Sequence, residues 1–347
     1  MIIDALIQIF YVSTFRLFDD LVVSKSSSGS IVRTVVIGSV FGLMVACGDE
    51  QPQNFNRPTT ASSSRIVSLA PALTQMLVDL GVADQLVAVA EHDMAAPRQL
   101  PVVGHFTEVN TESLLSVNPD LVLMMAGKEG PPERLRELAA TGRFDLVVYP
   151  HPLRVADIVQ ILTGYSEPGA TVSPPDRGLG EVLEIPEHAN GLARSVLKRL
   201  NRLRMLTEGL DKPKVLLLIE PPPLVASGPG TVHDQLLEVA GGVNAAADAR
   251  VTAPRFDREM LLAMNPQVVL MLLPEASRLD PSSTELTGLP IDAVRYGRIE
   301  SLYDPLILLP STSLVRIAVQ MTIAIHPYLA DEIEVMLQQD AAEGVLE

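Results

Sequence analysis

The chain has little cysteine, few aromatic side chains and a shortage of basic residues. Of its 347 residues one is cysteine, none is tryptophan and 4% are aromatic. A single cysteine excludes an internal disulfide and a thiolate metal cluster, and few aromatic rings are available to stack on a large flat ligand. The formal net charge of −16, from 26 basic and 42 acidic residues, argues against a nucleic-acid partner and against attraction to anionic lipid.

Patterns typical of enzymes are also missing. The six histidines include no pair with the i, i+4 spacing of a helical zinc site, and no Gly-x-Ser-x-Gly motif is present. We therefore expect no catalytic residues, no metal site held by protein ligands alone and no intrinsic cofactor. With 47% hydrophobic residues and a mean hydropathy of +0.26, most of the chain is expected to be globular.

One 17-residue stretch occurs twice. Val109 to Met125 returns 147 residues later as Phe256 to Leu272, with eight identical positions and no gap. In each copy a short polar residue, Asn110 or Asp257, can cap a helix, and an Asn-Pro pair ends it because proline disfavours the helical region at the preceding residue. The apolar run that follows predicts a strand buried on both faces of a parallel sheet. A unit duplicated at this distance predicts two similar lobes.

The beginning of the chain has features of an exported lipoprotein. Arg33 precedes a 13-residue apolar run, which is too short for a comfortable membrane span and is typical of a secretory signal. Met44 to Cys47 (MVAC) resembles a bacterial lipobox, in which the cysteine becomes the acylated first residue of the mature protein. The alternative is that Cys47 is a buried small hydrophobe. Residues 1–31 fit poorly as a signal region because their acids offset their bases, so we expect translation to begin at Val32.

Strand and helix patterns alternate from residue 65 onward, after a polar stretch at residues 48–64 that is expected to be a flexible tether. RIVSLA at residues 65–70 predicts a strand, Pro71 opens a helix, and LVAVA at residues 86–90 predicts the next strand. This alternation indicates an α/β lobe built on a parallel sheet. Ligands of such sheets bind beyond the carboxyl ends of the strands, where the loops holding Pro71, His92 and Phe106 are expected.

Several segments, in order, resemble one family. RIVSLAPALTQMLVDLG, the loop to GHF, NTESLLSVNPDLVL, SGPGTVHDQLLEVAGGVN and FDREMLLAMNPQVVL look like the periplasmic substrate-binding proteins of ABC importers for cobalamin, siderophores and haem. The resemblance spans Arg65 to Leu329. It implies two similar parallel-sheet α/β lobes joined by one long backbone helix, with a ligand cleft between the lobes. Asn190 to Leu210 is the candidate for that helix, and an ordinary surface helix is the alternative.

The expected organisation has six segments. They are a signal and lipobox region (1–47), a flexible tether (48–64), an N-terminal α/β lobe (65–163), an insertion plus the backbone helix (164–211), a C-terminal α/β lobe (212–330) and a C-terminal tail (331–347). Glu167 to Pro186 is rich in Pro and Gly without a period and predicts a surface insertion. The glycine-rich turn from Gly228 to Thr231 is expected to be a plain connection to a helix rather than a phosphate site.

The resemblance implies roles for particular residues. One glutamate in each lobe, here Glu112 and Glu259, would dock onto arginines of a permease dimer. The alternative is that each is a first-turn partner of a helix dipole on a solvated face. The candidates for ligand binding are Pro71, His92, His105, Phe106, Arg255 and Tyr303.

Two departures from the family leave the ligand open. Ala253 stands where cobalamin binders can carry a large ring, and Pro310 to Ser313 (PSTS) replaces a Pro-Gly-Pro-Arg sequence, so a common arginine is missing. His92 and His105 could ligate a metal or haem iron, or could be polar loop histidines without a ligand. A corrinoid, haem and a ferric siderophore all remain candidates.

The sequence thus predicts a monomeric lipoprotein outside the cytoplasmic membrane. It would bind a metal chelate between two lobes and present it to an ABC permease with its ATPase, with the membrane contacted through the N-terminal lipid. The alternative is a sensing or scavenging lipoprotein of the same fold without a transport role.

Overall fold

Two larger sheets, one in each half of the chain, organise the fold, and the described residues also form a separate two-stranded sheet. The computed structural model describes residues 64–342 except 106–107, 128, 221–223, 275–285 and 287. The first half contains β1 (Ile66–Ser68), α1 (Pro71–Asp79), β2 (Leu86–Val89), β3 (Gly104–His105), β4 (Glu108–Val109), α2 (Thr111–Ser116), β5 (Leu121–Met125), α3 (Glu133–Ala140), β6 (Asp145–Tyr149) and α4 (Val155–Thr163).

A short helix and a long one connect the halves. These are α5 (Leu179–Val182) and α6 (Pro186–Thr207). The second half contains β7 (Lys214–Glu220), β8 (Leu224–Ala226), α7 (Val232–Val239), β9 (Val243–Asn244), β10 (Arg255–Phe256), α8 (Arg258–Met264), β11 (Val268–Leu273), α9 (Asp292–Arg295), β12 (Ile299–Tyr303), α10 (Leu314–Ile325) and α11 (Ala330–Ala342). No helix among the described residues has the length and apolar character needed to cross a membrane.

The first sheet is parallel throughout. Its strand order is β2-β1-β5-β6, and each neighbouring pair is parallel. All five residues of β5 are buried, as predicted for the strand of the first repeat. The α/β class expected from the sequence is confirmed in this lobe.

The second sheet is mixed, which corrects the expectation of a purely parallel lobe. Its order is β10-β8-β7-β11-β12, with β9 also paired to β7. Strands β9, β11 and β12 are parallel to β7, whereas β8 runs antiparallel to it and β10 antiparallel to β8. Three residues separate β7 from β8, too few for a parallel crossover, which needs a dozen or more.

The duplicated unit has the same local structure in both lobes. The side chain of Asn110 accepts from the backbone N–H of Ser113 at 3.0 Å, and that of Asp257 accepts from Met260 at 2.8 Å. Each bond satisfies a donor in the first turn of a helix. Both predicted caps are confirmed.

The two repeated helices also end alike. Asn118 and Asn265 have φ angles of 44° and 45°, in the left-handed region that asparagine tolerates better than most residues. Since the following proline disfavours the right-handed helical region, each helix stops at its asparagine. The chain then turns directly into β5 or β11.

Each sheet packs one face on a private core and the other on a core shared by both lobes. In β5, Leu121, Leu123 and Met125 contribute to the shared core, while Val122 and Met124 face the private core of the first lobe. In the second lobe β7 and β11 divide their residues in the same alternating way. The alternation follows from the two-residue period of a strand.

The long helix α6 lies in the shared core. It has 22 residues, which gives a length of about 33 Å, and Pro186 occupies its first turn, where proline is favoured. Its buried side chains include Leu192, Val196, Leu200 and Leu203, all within the shared core cluster. The backbone helix predicted at residues 190–210 is therefore present, and it begins four residues earlier.

The insertion is only partly on the surface, which corrects the prediction for Glu167 to Pro186. Residues 167–177 are largely exposed, but Leu179, Leu183 and Ile185 are buried in the shared core. Gly178 lies against the backbone of Gly164, so close that a Cβ added to Gly178 would stand 2.2 Å from the Gly164 nitrogen. The second part of the insertion is therefore buried, because its apolar side chains pack in the shared core.

The expected tail at residues 331–347 is instead mostly helix α11. Ile333 and Met336 are buried in the shared core, and the carboxylate of Asp340 is fully buried beside α6. Arg202 donates to Asp340, and Arg199 lies 3.5 Å from it. Helix α11 thus packs its apolar side chains into the shared core and pairs its buried acid with arginines of α6.

Candidate functional site

Loops from both lobes leave the carboxyl ends of parallel strands, where ligands of α/β sheets bind. In the first lobe Pro71 follows β1, and His92 follows β2. In the second lobe Tyr303 is the last residue of β12. The topology thus places these three predicted residues at the ligand ends of their sheets.

Asp93 joins the first-lobe loop of His92 to the helix that begins at Pro71. Thr74 on α1 donates its hydroxyl to Asp93 Oδ2 at 2.6 Å, and the backbone N–H of Ala95 donates to Oδ1 at 3.0 Å. Burial raises the pKa of Asp93, although these two hydrogen bonds oppose the shift. His92 is exposed and has a φ of 56°. The loop that holds His92 is therefore bonded to the helix that Pro71 begins.

His105 ends strand β3, which pairs antiparallel with β4. Gly104, just before it, has a φ of 101°, and a Cβ there would stand 2.5 Å from the carbonyl oxygen of Glu108. Only glycine fits this turn. Phe106 lies outside the described residues, so its predicted ligand role stays a prediction.

The described residues contain no cluster of side chains that could bind a metal ion without a chelate. Within the described ranges no group of three or more His, Cys, Asp or Glu side chains could hold an ion. His92 and His105 stay candidates for contact with a metal that arrives inside a chelate.

The second-lobe candidates lie at opposite edges of their sheet. Arg255 is exposed on β10, and Tyr303 is half-buried on β12, the two outer strands of the order β10-β8-β7-β11-β12. Four strand spacings separate them, about 19 Å. A small ligand would contact one or the other, and only a broad ligand both.

An ion pair with a buried carboxylate positions the loop after Tyr303. Both oxygens of the Asp304 carboxylate accept from Arg316 on α10, the Nη2 bond measuring 3.0 Å, and Oδ1 also accepts from the Leu306 N–H at 2.8 Å. The same loop is held by His233 on α7, whose Nε2 lies 2.6 Å from the carbonyl oxygen of Ile307. Burial lowers the pKa of His233, so this imidazole is neutral at physiological pH.

Polar contacts between described residues cross directly from one lobe to the other. The N–H of Val155, at the start of α4, donates to Gln235 Oε1 on α7 at 2.9 Å. Thr312, before α10, donates to Asp79 at the end of α1, which also accepts from Gln75 at 2.8 Å. Burial raises the pKa of Asp79 despite both hydrogen bonds. These contacts link the two lobes directly and were not predicted from the sequence.

Glu112 and Glu259 are exposed in the first turns of α2 and α8. Each of these helices leads within a few residues into the amino end of a parallel strand, β5 or β11. The first turn of each helix therefore lies toward the carboxyl end of its sheet, on the side of the ligand loops. The two glutamates occupy equivalent places, and their docking role is still a prediction.

The predicted lipidation site, Cys47, and the signal region lie outside the described residues.

Comparison with known proteins finds similarity to the same kind of protein as the sequence segments did. Residues 66–147 match the family described as periplasmic binding protein. The vitamin B12-binding protein of Yersinia pestis (strain Pestoides F) is 29% identical over 213 residues, which cover 60% of this chain and 70% of that protein.

Solved structures show the same two-lobed architecture. The apo periplasmic heme-binding protein RhuT from Roseiflexus sp. RS-1 aligns with a TM-score of 0.62 and 27% identity, covering 77% of this chain and 99% of that one. The periplasmic heme-binding protein HutB of Vibrio cholerae aligns with a TM-score of 0.63 at 20% identity, over 77% and 100% of the two chains, and shows the fold alone. The predicted resemblance and fold class are confirmed. These relatives are described as binding proteins and not as enzymes.

Proposed function

We propose, starting from this likeness to periplasmic binding proteins, that the chain captures a metal chelate between its lobes and delivers it to an ABC permease with its ATPase. The chelate is a corrinoid, haem or a ferric siderophore. The protein acts as a monomer outside the cytoplasmic membrane, tethered by a lipid on Cys47. The vitamin B12-binding and heme-binding relatives support this choice of ligand class.

The observation that carries the proposal is that the two lobes share one core, and each has the ligand-binding end of its own sheet. Each lobe directs the loops after its parallel strands to one end of its sheet, and helix α6 and the Val155–Gln235 contact hold the lobes together. A molecule bound there is gripped by two pre-positioned surfaces, so little free energy is spent on ordering the protein.

The ligand contacts are assigned to both lobes. Pro71, His92, His105 and Phe106 act from the first lobe, and Arg255 and Tyr303 act from the second. The separation of Arg255 and Tyr303 across the sheet favours a broad ligand such as a tetrapyrrole over a single ion.

Docking is assigned to Glu112 and Glu259. Exposed carboxylates at equivalent places in two lobes fit a permease dimer with one arginine pocket in each subunit, because an arginine–carboxylate pair is bidentate and specific. Neither glutamate forms an ion pair with another described residue, so both are free to engage a partner.

The ligand is tested on protein purified from its own host. Mass spectrometry is expected to find a corrinoid, haem or a siderophore bound, and ligand-free protein should bind one equivalent when titrated with cyanocobalamin, haemin or a ferric siderophore. His92→Ala should weaken binding, whereas His188→Ala, which alters an exposed histidine on α6, should not. A protein that carries no chelate and shows no saturable binding to any of the three would refute the proposal.

A further inference from the structure

His92 has a backbone conformation that residues with a Cβ seldom adopt. Its φ of 56° lies in the left-handed region, which costs free energy in residues other than glycine. The other described non-glycine residues with a positive φ are Asn118, Glu184 and Asn265. Each of those three follows the end of a helix, where the left-handed conformation is common. His92 instead lies in the loop after β2, at the ligand end of the first sheet.

Hydrogen bonds on both sides of His92 hold this conformation. Packing of its own side chain does not, because the residue is exposed. On one side, the backbone N–H of Glu91 donates to the carbonyl oxygen of Gly104 at 2.9 Å. On the other side, the carboxylate of Asp93 accepts from the Thr74 hydroxyl at 2.6 Å. The backbone of His92 is thus fixed between two bonded neighbours.

Thr74 bonds to Asp93 from the interior of the lobe. Its side chain is fully buried on α1, and its Oγ1 lies 2.8 Å from Oγ of Ser68, a fully buried residue that ends β1. A hydroxyl has one proton, so Thr74, which gives its proton to Asp93, accepts from Ser68. Side-chain bonds therefore join the sheet, the helix and the loop. A strained residue persists only where its surroundings fix it in this way.

We propose that Thr74 and Asp93 are positioning residues that hold His92 in its strained conformation, so that the imidazole is presented before the chelate arrives. Strained backbone occurs preferentially at functional sites, where it places a side chain in advance. A loop that is already in place loses less conformational entropy when a ligand binds. This assignment rests on the proposed function and adds to it two residues that act through His92 rather than by contact with the chelate.

A double-mutant cycle tests whether Thr74 acts through His92. The probe is whichever of cyanocobalamin, haemin and a ferric siderophore saturates the wild-type protein. Thr74→Val should weaken binding about fivefold in the wild type and should cause no further loss in His92→Ala. Thr74→Ser keeps the hydroxyl and should bind like the wild type. Thr322→Val, the control, removes another fully buried helical hydroxyl and should leave the affinity unchanged.

The strain is tested without a ligand. Glycine adopts the left-handed region at no steric cost. The unfolding equilibrium constant of His92→Gly in urea should therefore be about three- to fivefold below that of His92→Ala. Both variants should bind the probe with the same weakened affinity, because both lack the imidazole. This comparison leaves Thr74 intact, so it holds even if Thr74→Val folds poorly.

Three outcomes would overturn the assignment while leaving the proposed function in place. They are an unchanged affinity in Thr74→Val, an equal loss from Thr74→Val with and without the His92 imidazole, and a His92→Gly variant no more stable than His92→Ala. Failure of the wild type to bind any of the three chelates saturably would overturn the proposed function, and this assignment with it.

Discussion

In the first lobe, replacing the small side chain of Asp157 is expected to cause an unusually large decrease in the free energy of unfolding. Its carboxylate is fully buried and accepts from the N–H groups of Leu153, Arg154, Thr171 and Val172 and from the Thr171 hydroxyl. It thereby ties the insertion to α4. Asp157→Ala leaves several of these donors buried without an acceptor, and each such group costs about 1–3 kcal/mol. We expect a total loss of about 3–5 kcal/mol in the free energy of unfolding.

The same carboxylate gives the loss a pH dependence. Burial raises the pKa of Asp157, but the hydrogen bonds from Thr171, Leu153 and Arg154 outweigh burial, and the net pKa lies below the usual range. A group with a depressed folded-state pKa stabilises the fold above its unfolded pKa of about 3.9 and loses that contribution as the pH falls further. The difference in the free energy of unfolding between wild type and Asp157→Ala should therefore be full near neutral pH and should shrink below about pH 4.

Urea unfolding followed by circular dichroism measures both effects. Asp176→Ala, which removes an exposed acid from the same insertion, is the matched control and should change the free energy of unfolding by less than about 0.5 kcal/mol. The reasoning fails if Asp157→Ala loses less than about 1 kcal/mol, the net worth of one ordinary hydrogen bond, or if its loss does not depend on pH.

Two further predictions concern the partners. Glu112→Ala combined with Glu259→Ala should leave the affinity for the chelate unchanged and abolish its uptake by cells, because only the permease contact is removed. The control, Glu187→Ala with Glu332→Ala, alters two exposed glutamates on α6 and α11 and should leave uptake normal. Normal uptake by the Glu112 and Glu259 double variant would reject docking through these carboxylates. Cys47→Ser should release the protein from the membrane fraction and remove the acyl mass from its N-terminal peptide, and an unchanged distribution would contradict the lipid anchor.

Features set by neighbouring residues could be predicted from the sequence. The caps at Asn110 and Asp257, the helix ends at Asn118 and Asn265, and the buried strands that follow all depend on interactions within one repeat. The reversal of β8 was missed although its signal was present, since three residues after Glu220 cannot make a parallel crossover.

Long-range polar contacts could not be predicted in this way. Thr312 and Asp79 are 233 residues apart, and Gln235 and Val155 are 80 apart, and no local pattern selects such partners. The helix at residues 330–342 had a weak signal in the spacing of Ile333 and Met336, but its buried acid depends on distant arginines of α6.

The core that runs beneath both lobes ties their stabilities to one another. This core includes Leu73 and Leu77 of α1, Leu203 of α6 and Leu236 of α7. Neither lobe can therefore unfold without exposing apolar surface of the other. Heating should therefore melt the two halves in one calorimetric step. A fragment that ends after α6 would keep the first sheet but would expose the apolar face that the second lobe normally covers. Such a fragment should aggregate rather than stay in solution.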